Sequence, residues 1–212
     1  MIWTAALFSL GFQLIRIIPT LAVYLVNPDI SEMMLAALSG IGVAGMLYAI
    51  LHVRGVAGDV LEPGDTNAAI GIAVLGVLAV AYALSTAATL LLVHTAGPSG
   101  ASVDHGFVTL MQTSGRLETY LAVALVGPVV EEFVYRGMLM GVLLARGWRP
   151  VPVILLSSLV FTVQHFQYGW IGLVSVFIYG AAFGILRVGG GGLAAPIAAH
   201  VLFNLLSVAA LG

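Results

Sequence analysis

Residues 120–145 read YLAVALVGPVVEEFVYRGMLMGVLLA, and only Glu131, Glu132 and Arg136 are charged within this run. About 20 apolar residues are enough for a helix to cross the hydrocarbon core of a bilayer, so the run predicts a transmembrane helix. A charge at membrane depth costs at least a few kcal/mol unless it is paired or faces a cavity. The stretch therefore predicts a membrane-spanning fold and also marks the position of a functional site.

The composition of the whole chain extends this conclusion. Its 212 residues are 61% hydrophobic and 8% charged, with a mean hydropathy of +1.12, values that a soluble domain does not reach. Cysteine is absent, which excludes a disulfide framework, a thiolate zinc site and a cysteine nucleophile. We expect an integral membrane protein whose surroundings are the lipid bilayer, with no nucleic-acid partner, no cofactor and no metal.

The pattern of apolar runs predicts an all-α, polytopic transmembrane bundle of about seven spans. The first begins near Ile2 and is interrupted by Arg16 and Pro19, which favours a retained span over a removed signal peptide. Polar residues at membrane depth are concentrated in the last four spans, so we expect residues 119–212 to form a catalytic core. Residues 1–118 would supply the N-terminal spans and a long polar loop of the same membrane domain. The predicted spans are residues 2–26, 33–51, 68–93, 120–145, 151–168, 170–187 and 193–211.

The distribution of arginine predicts the orientation. In a seven-span arrangement Arg54, Arg146, Arg149 and Arg187 fall in loops on one side, and Arg116 is the only loop arginine on the other. The positive-inside rule then places the N-terminus in the cytoplasm of a multi-pass protein.

The spacing of the charged residues in the fourth span assigns them different tasks. Glu132 and Arg136 are four residues apart, so they share a helix face and can form an ion pair. Glu131 points about 100° away and has no basic partner in its own helix. One carboxylate is thus free to act as a general base.

Two further spans carry a histidine with a partner residue at the same four-residue spacing. Phe161 and His165 are four residues apart in the predicted fifth span, and His200 and Asn204 are four apart in the seventh. An imidazole and a carboxamide on one helix face can converge as the hydrogen-bond donors of an oxyanion hole. We therefore expect Glu131, assisted by His165, to activate a water molecule that attacks a peptide carbonyl.

These residues form three ordered motifs: Glu131-Glu132-x-x-x-Arg136, Phe161-x-x-x-His165 and His200-x-x-x-Asn204. Together they resemble the CAAX-protease and bacteriocin-processing (Abi) family of glutamic intramembrane endoproteases. The resemblance covers residues 121–206 and implies that Glu131 and His165 activate water while His200 and Asn204 form the oxyanion hole. It does not define the substrate, because family members include prenyl-protein proteases, bacteriocin-related and immunity proteins, and processors of membrane-anchored signals. The small size and plain composition favour a prokaryotic cell membrane.

Other functions remain open at this level. A zinc protease would use two histidines and a glutamate, but the chain has no His-Glu-x-x-His pair and Arg136 would repel a cation. A non-catalytic membrane scaffold or immunity protein could keep the same polar cluster as a binding pocket. A proton-coupled transporter lacks an evident second half related to the first. The favoured reading is an endopeptidase acting on a membrane-embedded or lipidated protein substrate, with the oligomeric state undecided.

Overall fold

The computed structural model describes residues 17–27, 30–101 and 105–211. This part of the chain folds into helices joined by mostly short connections. A 3₁₀ turn, Pro98–Ala101, precedes the fifth helix. The helices are α1 (Ile17–Val26), α2 (Glu32–Val53), α3 (Ala57–Val60), α4 (Ala68–Ala96), α5 (His105–Thr113), α6 (residues 116–144), α7 (Pro150–Val163), α8 (Trp170–Gly189) and α9 (Ala194–Leu211).

The lengths and composition of the helices confirm the predicted class of polytopic, all-helical membrane protein. Three described helices, α2, α4 and α8, are long and apolar enough to cross a bilayer, and α7 and α9 are shorter apolar helices. Helix α4 buries only Val74, Ala81 and Ser85, so most of its apolar surface is available to lipid. The count of seven spans stays a prediction. Most of the first predicted span, including Arg16, lies outside the described residues, and α1 is its last part.

Helix α6 packs against α2, α7, α8 and α9 and is not regular along its length. Tyr120–Val126 and Phe133–Met140 are π-helical, and Gly127–Glu132 between them is α-helical. Such wider turns are uncommon and are found preferentially at functional sites. All residues from Val134 to Met140 are buried. The acidic pair therefore sits in an α-helical segment held between two π-helical ones.

The connection before α4 is joined to the connection between α8 and α9. The amides of Leu193 and Ala194 donate to the carbonyls of Glu62 and Pro63, and the amide of Asp65 donates to the carbonyl of Gly190, each at 2.9 Å. Gly64 lies between these bonds with a φ of 74°. This backbone pairing fixes the N-terminal part of the chain against the two C-terminal helices.

Two predictions made from the sequence are wrong in detail. The fifth span was expected to continue to residue 168, but α7 ends at Val163 and His165 lies in the turn that follows. At the helix end the Phe161 carbonyl accepts from the Gln164 amide at 3.2 Å and from Nδ1 of His165 at 2.8 Å. The His165 amide, which would use that acceptor in a continuing helix, donates to the Thr162 carbonyl instead. Arg187, expected in a loop, is buried in the last turn of α8 with 6% exposure, so it is not a surface charge for the orientation rule.

Candidate active site

The two glutamates of the first motif occupy different environments. Glu132 is fully buried, whereas the side chain of Glu131 is 28% exposed and faces a cavity. The difference follows from their positions on α6, because adjacent residues of an α-helix point about 100° apart. Glu131 is therefore the carboxylate that a substrate can reach, and Glu132 lies behind it.

The predicted ion pair between Glu132 and Arg136 is present. Arg136 Nη1 donates to Glu132 Oε1 at 2.9 Å, and Nη2 donates to the carbonyl of Gly180 on α8 at 2.8 Å. The guanidinium also lies over the ring of Phe161, 4.5 Å from its centroid. Both side chains of the pair are completely shielded from solvent, so the pair depends on these contacts to offset the cost of burying two charges.

His165 approaches Glu131 from the end of α7. Because a carbonyl oxygen only accepts, the bond between Nδ1 and the Phe161 carbonyl places a proton on Nδ1. The opposite ring nitrogen, Nε2, lies 4.0 Å from Glu131 Oε2. At that separation the two atoms are close enough to share a bridging water molecule without a direct hydrogen bond.

His200 approaches the same carboxylate from α9. Its Nδ1 lies 2.8 Å from Glu132 Oε1, and its Nε2 lies 3.7 Å from Glu131 Oε2. The ring of Phe183 stacks on the imidazole with centroids 4.5 Å apart. Glu132 thus accepts hydrogen bonds from both Arg136 and His200 through one oxygen, and it fixes the orientation of the imidazole that faces Glu131.

Asn204 lies one turn after His200 on α9 and lines the same cavity. Its Nδ2 donates to the carbonyl of Val123 at 2.8 Å, and Val123 belongs to the first π-helical segment of α6. A carboxamide nitrogen carries two hydrogens, so one remains to donate elsewhere. The bond to Val123 fixes the plane of the amide.

The cavity has a volume of about 980 Å³ and runs beside α6 and α9. Residues of all three motifs line it, and apolar side chains such as Val108, Met111 and Phe203 form part of the remaining wall. Five of the seven predicted site residues line the cavity, and Glu132 and Arg136 are buried behind them. The five are Glu131, Phe161, His165, His200 and Asn204.

The positions of possible ligands do not indicate a metal site in the described part of the chain. Within residues 17–27, 30–101 and 105–211, no group of three or more His, Cys, Asp or Glu side chains is arranged to hold a metal ion. The carboxylate closest to both imidazoles, Glu131, lies 3.7 and 4.0 Å from their Nε2 atoms.

Several groups at the site were not predicted. The carbonyls of Gly180 and Val123 position Arg136 and Asn204, but a backbone acceptor leaves no signal in a sequence. Phe183 and Tyr168 also line the cavity, with the ring of Tyr168 stacked on that of His165 at 6.2 Å. In the sequence, Tyr168 is marked only by its position three residues after His165.

The fold and the site define an all-helical membrane protein in which a carboxylate and two imidazoles converge at a cavity. The comparison with protein families is more specific: the family described as type II CAAX prenyl endopeptidase Rce1-like matches residues 113–206. This segment contains all three motifs, so the resemblance to the CAAX-protease and bacteriocin-processing family is confirmed there. The family is one of proteases, which supports a hydrolase. No curated protein and no solved structure gave a match.

Proposed function

We propose that this protein is a glutamic-type intramembrane endopeptidase that hydrolyses a peptide bond of a membrane-embedded or lipidated protein. The observation that carries the proposal is the approach of two imidazole Nε2 atoms, from His165 and His200, to one oxygen of Glu131 inside the cavity. In each ring Nδ1 is already bonded to an acceptor. Both imidazoles are therefore oriented so that Nε2 faces the carboxylate.

The proposed reaction begins with a water molecule held between Glu131 and His165. Glu131 Oε2 takes a proton from this water, and the resulting hydroxide attacks the peptide carbonyl carbon. The carbonyl oxygen becomes the oxyanion of a tetrahedral intermediate, and the second amide hydrogen of Asn204 donates to it. The C–N bond then breaks as the proton taken from water passes to the leaving nitrogen. The products are a carboxylic acid and an amine, and no covalent enzyme intermediate forms.

His200 would stabilise the oxyanion through a proton on Nε2. Since Nδ1 donates to Glu132, this second donation requires a doubly protonated ring. Glu131 can pass the proton of the attacking water to Nε2, 3.7 Å away, and the cationic ring then donates to the oxyanion while the buried Glu132 balances its charge. The same proton returns through Glu131 to the leaving nitrogen as the C–N bond breaks. On this proposal the pair formed by Glu132 and Arg136 positions His200 and takes no part in bond making.

The substrate, the location and the orientation are also proposals. The apolar wall of the cavity suits a lipidated peptide or a transmembrane segment, and the family description supports a lipidated one. We propose a prokaryotic cell membrane with the N-terminus in the cytoplasm, which is supported by the exposed Arg54, Arg146 and Arg149 on one predicted side.

Cleavage by the purified protein in detergent tests the proposed activity. The substrates are prenylated C-terminal peptides and single-span segments. The variants are Glu131→Gln, His165→Ala and the control Asp59→Asn, which changes an exposed acid that does not line the cavity. We expect both site variants to lower kcat by about 10²–10⁴ and Asp59→Asn to retain wild-type activity. A chelator should have no effect.

Each other outcome contradicts the proposal in a different way. Equal cleavage by all variants would remove Glu131 and His165 from the chemistry. Loss of cleavage with chelator and recovery with zinc would favour a metalloprotease. If Glu131→Gln retained full biological function in cells while no cleavage was detected, a non-catalytic scaffold or immunity protein would be the better reading.

A further inference from the structure

Arg187 is a buried cation that the proposed reaction does not use. It belongs to none of the three motifs, and it lies in the last turn of α8 with 6% exposure. Burying an arginine is strongly unfavourable unless hydrogen bonds and charges compensate it. The contacts of Arg187 therefore indicate what compensates its burial and which part of the structure it positions.

The guanidinium of Arg187 contacts the backbone of two other elements. Nε donates to the carbonyl of Arg136 at 3.2 Å, and Nη2 donates to the carbonyl of Val60 at 3.5 Å. Glu62 is the acid whose charge acts on Arg187, and the bond from the Leu193 amide to the Glu62 carbonyl holds that residue near α8. The bond to Arg136 is the stronger of the two by distance.

The carbonyl that Arg187 contacts belongs to the second π-helical segment, Phe133–Met140. Its neighbour, the carbonyl of Tyr135, accepts a hydrogen bond from Ser157 Oγ of α7 at 3.2 Å. Two successive carbonyls of this segment are thus bonded to side chains from α7 and α8. The segment begins directly after Glu132, so its geometry decides how the Arg136 side chain faces Glu132.

We propose that Arg187 is a positioning residue of the active site, which fixes the π-helical segment through the Arg136 carbonyl with help from Ser157. A fixed segment holds the Arg136 guanidinium against Glu132, and Glu132 in turn holds His200 toward Glu131. The proposal rests on the proposed protease function for its catalytic consequence. Whether Arg187 fixes the π-helical segment can be tested by a measurement that does not depend on catalytic activity.

The first experiment compares Arg187→Gln and Arg187→Lys with the control Arg146→Gln, which changes an exposed arginine in the link after α6. We expect Arg187→Gln to lower kcat about 10- to 100-fold, the cost of a small misplacement of catalytic groups, with KM within about twofold. Arg187→Lys should recover part of kcat, because an ammonium also donates to a carbonyl but lacks the second arm for Val60. Arg146→Gln should leave kcat unchanged.

The second experiment measures hydrogen exchange of the backbone amides of residues 133–144 in the same variants. We expect faster exchange in Arg187→Gln and in Ser157→Ala, and wild-type exchange in Arg146→Gln. Ser157→Ala, which removes only a hydroxyl, keeps the test informative if Arg187→Gln does not fold.

The outcomes separate the two proposals. If the wild-type protein cleaves no substrate, the proposed function fails, and hydrogen exchange still decides whether Arg187 holds the segment. If the wild type is active but Arg187→Gln keeps its kcat, the positioning role is wrong. It is also wrong if the kcat of Arg187→Gln falls only in proportion to the folded fraction, or if the kcat of Arg187→Lys is no higher than that of Arg187→Gln. Unchanged exchange in residues 133–144 of both Arg187→Gln and Ser157→Ala would contradict it as well.

Discussion

Removing Arg136 alone should destabilise the protein more than removing both charges of its ion pair. In Arg136→Met the carboxylate of Glu132 loses its cation while remaining fully buried. Breaking a buried pair in this way costs about 3–5 kcal/mol. The surrounding residues compensate the remaining negative charge only in part, because within the described part of the chain Glu132 Oε2 has no hydrogen-bond partner.

The double variant Glu132→Gln/Arg136→Met removes both charges and keeps an amide oxygen to accept from His200. What remains lost is the 2.8 Å bond from Arg136 to the Gly180 carbonyl, and a hydrogen bond from a charged group contributes about 1.5–3 kcal/mol. We therefore expect the double variant to be more stable than the single variant by about 2 kcal/mol, the difference between the midpoints of these two ranges.

The assay is unfolding by sodium dodecyl sulfate in mixed micelles, with the helix content as the signal that reports the folded fraction. The control, Arg149→Met, removes an exposed arginine and should change the unfolding free energy by less than about 0.5 kcal/mol. A single variant that costs less than about 1 kcal/mol would refute the reasoning, because the buried pair would then not set the stability of this region. A double variant less stable than Arg136→Met would refute it as well.

Three further changes test other contacts. Gly180→Ala should cost about 1–3 kcal/mol in unfolding assays, because its methyl group would lie 3.3 Å from Phe161 and Ser158, whereas Gly189→Ala on the same helix meets open space and should be neutral. Gly64→Ala should lower the thermal unfolding midpoint much more than Gly55→Ala does. Both glycines have positive φ, but only at Gly64 would the methyl group overlap the backbone of the connection between α8 and α9. Equal midpoints for the two variants would contradict the backbone pairing. Asn204→Ala should lower kcat about 10²–10³-fold with little change in KM, and a change confined to KM would argue against the oxyanion role.

The local features of the site could be predicted from the sequence. The pairing of Glu132 with Arg136 depends only on their separation by four residues within one helix, which brings their side chains together in almost any helical context. The apolar runs likewise predict a helical membrane protein, because a bilayer leaves a chain few other ways to satisfy its backbone hydrogen bonds. Neither conclusion needs information about which helices are neighbours.

The contacts between helices could not be predicted in this way. The joint role of His200 and Asn204 as oxyanion donors stays a prediction, and the partners that orient them were not foreseen. Nδ1 of His200 contacts Glu132 on α6, and Asn204 is bonded to a carbonyl of α6. Both contacts depend on how α9 packs against α6, including its π-helical segments. A π-helical turn shifts the direction of every later side chain, and no residue type specifies it. The burial of Arg187 was missed for the same reason: its acceptor is a backbone carbonyl on another helix.

The geometry gives a physical reason for the four-residue spacing of the second motif. In a helix the carbonyl of Phe161 would accept from the amide of His165, and here the side chain of His165 takes that place as α7 ends. The backbone of Phe161 therefore orients the imidazole, while its ring lies against the Arg136 guanidinium. One residue connects the group that faces Glu131 to the ion pair behind Glu131. A spacing of three or five would keep both residue types but would separate the imidazole from the carbonyl that fixes its direction.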